Sequence, residues 1–190
     1  NVKEMIGGCI VCGEEQISDE NSLIYCDGPC GHGFHQGKSK SRLVCPLQVL
    51  LFDFCEFVKT SFYGVVEIPS GDWICRLCEF SVSQPVSFPF NNVLFTTNLL
   101  CPQKCELCPS TFGGFKPTGN KKWAHVICGL FLPEITFGDK TLMEPIILDG
   151  IHPEIFKKPC ILCKTASDAS YGACVTCSHP SCKTSFHVTW

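Results

Sequence analysis

Two short clusters, Cys105-Glu106-Leu107-Cys108 and His125-Val126-Ile127-Cys128, constrain this chain more than any other feature, with sixteen residues between Cys108 and His125. Each pair is spaced to chelate one ion from a tight turn, and together they offer three thiolates and an imidazole. That is a complete tetrahedral set for structural zinc, with no position left for water. Pro117 and Gly119 loosen the connection as a metal loop needs. A pair of disulfides explains neither the histidine nor the spacing.

The same chemistry recurs along the chain. Seventeen of 190 residues are cysteine, and five Cys-x2-Cys pairs begin at positions 9, 75, 105, 160 and 174. Cysteine at about nine per cent is a level at which metal or disulfides replace a large apolar core. The odd count, the paired spacing and the absence of a signal-peptide apolar stretch in Asn1-Val2-Lys3-Glu4-Met5 favour zinc in a reducing compartment. The expected fold is therefore a string of small zinc-stabilised α+β lobes with little regular secondary structure.

Charge narrows the function. A net charge of -3 argues against a module devoted to nucleic acid and suits a basic peptide partner. Lys121-Lys122 and Lys157-Lys158 leave a weak DNA contact open. The longest apolar stretch, 43–58, is broken by Pro46, Gln48, Asp53 and Glu56, so no membrane span is expected.

In chain order, Cys9, Cys12, Cys26, Cys30 and His35 are followed, after a gap, by Cys75 and Cys78, with Trp73 two positions before that last pair. This order resembles a PHD finger, which binds two zinc ions in cross-brace fashion through four cysteines, a histidine and three cysteines. The resemblance implies that Cys26, Cys30, Cys75 and Cys78 hold one ion. Cys9, Cys12 and His35 would hold the other with a fourth ligand three residues after His35, where this chain has Lys38. A RING finger, the scaffold of many ubiquitin ligases, places its first histidine earlier, and the Cys30 to His35 spacing matches Cys182 to His187.

Residues 37–62 interrupt the motif, basic at first and then rich in Leu, Val and Phe without a period of 2 or 3.6. Two readings stand. Gly37-Lys38 is what a splice donor translates to, and His187-Val188-Thr189-Trp190 stops where the family has His-x2-Cys, so both are consistent with translated intron. Alternatively the insertion is real, and Cys45 or Cys55 supplies the missing ligand.

Residues 81–100 read as a linker, 101–132 as the knuckle, and 133–159 as a connecting segment whose apolar runs, 130–135 and 143–147, fill core around it. A second PHD-like set, truncated, occupies 160–190: Cys160, Cys163, Cys177, Cys182 and His187, with Cys174 a surplus buried thiol.

Finger, knuckle and finger in this order resemble the PZP module (PHD finger, zinc knuckle, PHD finger). The stretches Met5-Ile6-Gly7-Gly8-Cys9, Tyr25-Cys26-Asp27-Gly28, Met143-Glu144-Pro145-Ile146 and Ser185-Phe186-His187-Val188-Thr189 are similar to the AF-ten and AF-seventeen chromatin-reader family. That family implies a nuclear, non-enzymatic reader of the histone H3 tail on the nucleosome, within a protein that recruits a histone methyltransferase complex through regions outside this chain. A tail strand would add to the edge Asn21-Ser22-Leu23-Ile24, with Asp19, Glu20 and Asp27 facing its cations. Tyr25, Trp73 and Trp123 each have a structural place beside a ligand, so unmodified lysine is the expected target. A RING-like ubiquitin ligase and a DNA-binding zinc protein are the alternatives.

Overall fold

The computed structural model describes residues 6–17, 21–36, 63–83 and 104–189. The insertion 37–62, with Lys38, Cys45 and Cys55, lies outside them. So do Asp19, Glu20, most of the 81–100 linker and Trp190.

The described elements are short and the sheets small. Strands β1 (Ile6–Cys9), β2 (Leu23–Tyr25) and β3 (His32–His35) form one sheet in the order β1-β3-β2, with β2 antiparallel and β1 parallel to β3. Helix α1 (Arg76–Ser83) follows Cys75 directly and closes the first lobe. The knuckle is the hairpin β4 (Phe115–Pro117) and β5 (Trp123–His125), leading without a break into α2 (Val126–Phe131). A second hairpin, β6 (Thr136–Asp139) with β7 (Glu144–Ile147), lies on it, and Gly119 N–H donates to the Ile146 carbonyl at 2.9 Å. A 3-10 turn (Pro153–Lys157), helix α3 (Ala166–Ala169) and the hairpin β8 (Val175–Thr176) and β9 (Ser185–Phe186) make the last lobe.

No lobe has a core of its own size. Buried residues run as one cluster from Cys9 and Phe34 through Leu107, Phe115 and Val126 to Ile146, Ile155 and Ala173, mixing ligand-type cysteines with aliphatics. The apolar runs read as core filling do fill core: Leu132, Ile135, Met143 and Ile146 are buried, Ile146 completely. Burial of this kind supplies about 25 cal/mol per Å² of apolar surface, and here it acts both within lobes, as where Phe34 packs on Tyr63 and Trp73, and between them.

Polar contacts fix the lobes to one another. Tyr63, buried in the first lobe, donates through its hydroxyl to the Phe115 carbonyl at 2.9 Å, and its ring receives the Lys116 ammonium at 4.5 Å from the centroid. Lys116 also donates to Glu144 Oε2 at 3.1 Å and to the Leu142 carbonyl at 3.0 Å, while Arg76 of α1 donates to both Glu144 oxygens. Glu144 thus joins helix α1, strand β4 and strand β7. On the other side, Tyr171 O–H donates to the Cys105 carbonyl and Ala173 N–H to the Leu107 carbonyl, each at 2.9 Å. Gly172 between them has φ +85°, and a Cβ there would stand 2.5 Å from the Leu107 oxygen. Only glycine allows that approach.

Removing one partner of a buried ion pair leaves an uncompensated charge. Glu144→Ala strands Lys116, whose side chain is 5% exposed, and should lower the unfolding free energy of zinc-saturated protein by about 3 kcal/mol in urea. Burial by itself raises the Glu144 carboxyl, but Arg76 and Lys116 outweigh it and hold it below its ordinary 4.5. This contribution is therefore present above pH 4.5 and lost as the pH falls below it. Equal unfolding midpoints for wild type and Glu144→Ala at pH 7 would refute the role given to Glu144.

Candidate metal centres and the strand edge

Four groups of donor atoms converge, each with its ligand-type atoms within 4.8 Å of one another: Cys26, Cys30, Cys75 and Cys78; Cys105, Cys108, His125 and Cys128; Cys9, Cys12 and His35; and Cys160, Cys163 and His187. The pairing interleaves along the chain. Cys75 and Cys78 return to Cys26 and Cys30, whereas Cys9 and Cys12 face His35 across the β1–β3 sheet.

Three of the groups are built the same way. His35, His125 and His187 each follow or end a strand, and each donates its own backbone N–H at 3.3 Å to the first cysteine of its pair: Cys9, Cys105 and Cys160. Each turns Nδ1 to the second cysteine: Cys12 and Cys108 at 3.2 Å, Cys163 at 3.3 Å. In the fourth group Cys75 N–H donates to Cys26 Sγ at 3.2 Å. A sulfur that accepts backbone N–H bonds is stabilised as the thiolate. Cys9 is held at about 5 chiefly by its hydrogen bond with Cys12, and Cys26 is lowered chiefly by Cys30, with the backbone N–H groups of His35 and Cys75 acting as smaller contributions in the same direction. Burial opposes it at Cys105 and Cys160, yet both thiols still lie below the ordinary range.

The far side of each imidazole is also arranged. His35 Nε2 bonds the Gln16 carbonyl at 2.9 Å and His187 Nε2 the Tyr171 carbonyl at 2.6 Å. A proton held on Nε2 leaves the Nδ1 lone pair for a metal, the outer-shell device common to ligating histidines. His125 lacks this partner among the described residues: its Nε2 is buried beside Gly113, and its ring lies on Phe115 with centroids 4.0 Å apart. Packing replaces the hydrogen bond there.

The donor sets fit zinc in size. With metal–sulfur bonds of about 2.3 Å, a tetrahedron has sulfur–sulfur edges of about 3.8 Å. Cys30 and Cys75 Sγ stand 3.7 Å apart, far beyond a disulfide, and no disulfide joins any of the described cysteines. The protein is a zinc-binding chain.

The remaining candidate residues fall elsewhere. Cys177 and Cys182 lie together at the surface, Cys182 Sγ standing 3.1 Å from Thr184 Oγ1, without a third donor among the described residues. Cys174 is 2% exposed and joins no donor group, and burial pushes its thiol up to about 12, in keeping with a packed thiol. Lys122 pairs with Glu106 at 2.9 Å and Lys157 with Glu154, so both basic pairs are partly engaged within the chain.

The strand edge is present as well. Gln36 N–H donates to the Ser22 carbonyl and Cys26 N–H to the His32 carbonyl, each at 2.9 Å, so residues 22, 24 and 26 face β3. By the two-residue alternation of a strand, Leu23 and Tyr25 point their backbone groups away from β3, where no other described strand lies. The side chains of Asn21 and Ile24 are buried. One Asp27 oxygen is taken by Trp73 N–H at 2.9 Å. Trp73 packs edge-on against Phe34 and Tyr63, and Trp123 against Phe80, so neither ring stands free as a cage wall. Nothing in the sequence pointed to the Tyr63, Lys116 and Glu144 junction; the Met143-Glu144-Pro145-Ile146 match marked its place without its purpose.

Comparison with known proteins agrees with this geometry. Residues 103–190 match the family described as PHD-zinc-finger like domain. Zinc finger protein zfp-1 of Caenorhabditis elegans is 38% identical over 192 residues, covering 99% of this chain and 18% of that protein. Human Protein AF-17 is 36% identical over 192 residues, covering 99% of this chain and 14% of that protein. The chain thus spans less than a fifth of these relatives. The crystal structure of the zebrafish PHF14 PZP superposes with a TM-score of 0.60 at 29% identity, covering 95% of this chain and 71% of that one.

Chelator competition separates the donor sets. The two groups with four described donors should retain zinc at chelator concentrations that strip the two with three, giving two steps of release by a zinc-sensitive dye. Release of all zinc in one step would refute the ranking. His125→Ala should remove the knuckle ion from the slower step and with it the near-UV signal of Trp123.

Proposed function

We propose that this chain, which belongs to the PZP family of chromatin-reader zinc-finger modules typified by Protein AF-17, binds the histone H3 tail as a strand added to β2, with the recognised lysine unmodified. The observation that carries this reading is the outward-facing main chain of Leu23 and Tyr25 on the edge of β2 where no other described strand lies. Main-chain pairing gives an extended tail affinity, and side-chain contacts give choice.

In this reading the module divides as finger 1–80, knuckle 101–132 and partial finger 160–190. Zinc is held by the four converging groups, with Cys177 and Cys182 as half of a further cross-brace site. Zinc here is structural: it holds lobes too small to fold alone, and in the two four-donor groups the closed thiolate and imidazole set leaves no position for a reacting water. The protein acts without catalysis, in the nucleus, as part of a longer protein that brings a histone methyltransferase to chromatin. DNA contact is secondary, since Lys122 and Lys157 have acidic partners.

Preference for unmodified lysine follows from the aromatic side chains. A cage for trimethyl-lysine needs several converging free rings, and Trp73 and Trp123 are occupied by packing. Each exposed charge pair contributes about 0.2 to 1 kcal/mol, so strand pairing must carry most of the affinity.

Calorimetry with overlapping H3 tail peptides on the zinc-loaded chain tests this. At least one unmodified peptide should bind, Leu23→Pro should weaken it about tenfold or more by removing an outward N–H, and trimethylation of the recognised lysine should weaken it further. Tighter binding of the trimethylated peptide would overturn the proposed preference, and transfer of ubiquitin with a conjugating enzyme would overturn the non-catalytic reading.

A further inference from the structure

Between the knuckle and the last lobe lies a cleft of about 270 Å³. Its walls are apolar: Phe131 and Leu132 at the end of α2, Ile155 of the 3-10 turn, Val175 of β8 and Phe186 of β9. The volume is at the small end for a ligand pocket, suited to one side chain rather than a cofactor.

One anion lines it. Glu134, immediately after α2, has no hydrogen bond or ion pair among the described residues, and its Oε2 is shut away from solvent. A half-desolvated carboxylate without a donor is costly, and a buried polar atom left unpaired calls for a partner. The nearest candidate in the chain does not serve. Lys158, the other charged residue lining the cleft, is turned to Thr176 and donates to its Oγ1 at 2.9 Å.

The cleft also has a strand edge. Cys177 N–H donates to the Thr184 carbonyl, so Val175 and Cys177 face β9 and the main chain of Thr176 faces outward. Its neighbour Cys174 uses the same side to reach the Ile155 carbonyl. An extended peptide laid along Thr176 would deliver a side chain into the cleft.

We infer that this cleft is a second peptide site, which takes the aliphatic stem of a lysine against Phe131, Val175 and Phe186 and its ammonium onto Glu134. Charge complementarity selects the occupant: an apolar wall with one unpaired carboxylate, its one cation Lys158 turned to Thr176, matches an aliphatic chain ending in a cation, and neither a hydrophobic anchor nor an acid. The assignment of that lysine to the histone tail rests on the reading proposed above; the chemistry of the cleft does not.

The test uses the whole zinc-loaded chain, ¹⁵N-labelled, and two blocked alanine heptapeptides with a central lysine or a central norleucine. The lysine peptide should shift the amide signals of Val175 and Thr176, the norleucine peptide should not, and Glu134→Gln, which keeps shape and removes charge, should weaken the lysine peptide about tenfold. Leu23→Pro should leave this binding unchanged. Equal binding of both peptides, or an undiminished response in Glu134→Gln with unaltered zinc content, overturns the inference. With an H3 tail peptide the two readings part. Sensitivity to Leu23→Pro but not to Glu134→Gln removes the tail lysine from the cleft and keeps the tail reader; a lysine-specific response in the cleft with no tail binding removes the reader and keeps the cleft.

Discussion

Metal coordination replaces in this chain the large apolar core that other folds of this size rely on. The four described sheets, the largest of three short strands, cannot bury enough surface to order their own backbones. Thiolates and imidazoles gathered on zinc supply the missing free energy, and they do so locally, from donors a few residues apart. Each donor group is a turn and a strand or helix end brought together around one site, two such groups in the first lobe and one in each of the others. The repeated use of a histidine N–H to hold the first sulfur, and of Nδ1 to face the second, makes three of the four groups variants of a single device.

Local pinning leaves the arrangement of lobes undecided, and a different kind of contact decides it. Tyr63, Lys116, Arg76 and Glu144 form a buried polar junction between the first lobe and the knuckle, and Tyr171 with Gly172 seats the last lobe on the knuckle's own backbone. These contacts hold the Leu23 edge and the Glu134 cleft on one frame. A reader of an extended tail gains from such a frame, because two weak contacts held at a constant separation act together without a fresh ordering cost for the second.

The same logic fits the zinc ions to a structural part. Their coordination in the two four-donor groups is closed, and the histidines are oriented by carbonyls or by packing rather than by a proton-accepting side chain. What the ions leave for function is surface: an open strand edge, and a cleft with one carboxylate.

The donor pairs were legible in the order of residues, since a pair of ligands three apart on a turn converges wherever it is placed, and the joining of Cys26 with Cys75 and of Cys9 with His35 was implied by the resemblance to a PHD finger. Zinc, lobed architecture and the finger, knuckle and finger arrangement were therefore determined by the sequence by itself. The Tyr63 and Glu144 junction, the choice of Nδ1 on each histidine, the burial of Asn21 and Ile24, and the unpaired Glu134 were not, for contacts between residues tens of positions apart carry no spacing signal. Only the tertiary structure decided them, because they depend on how lobes meet, and that is set by packing between surfaces rather than by the short-range geometry that brings two ligands to an ion.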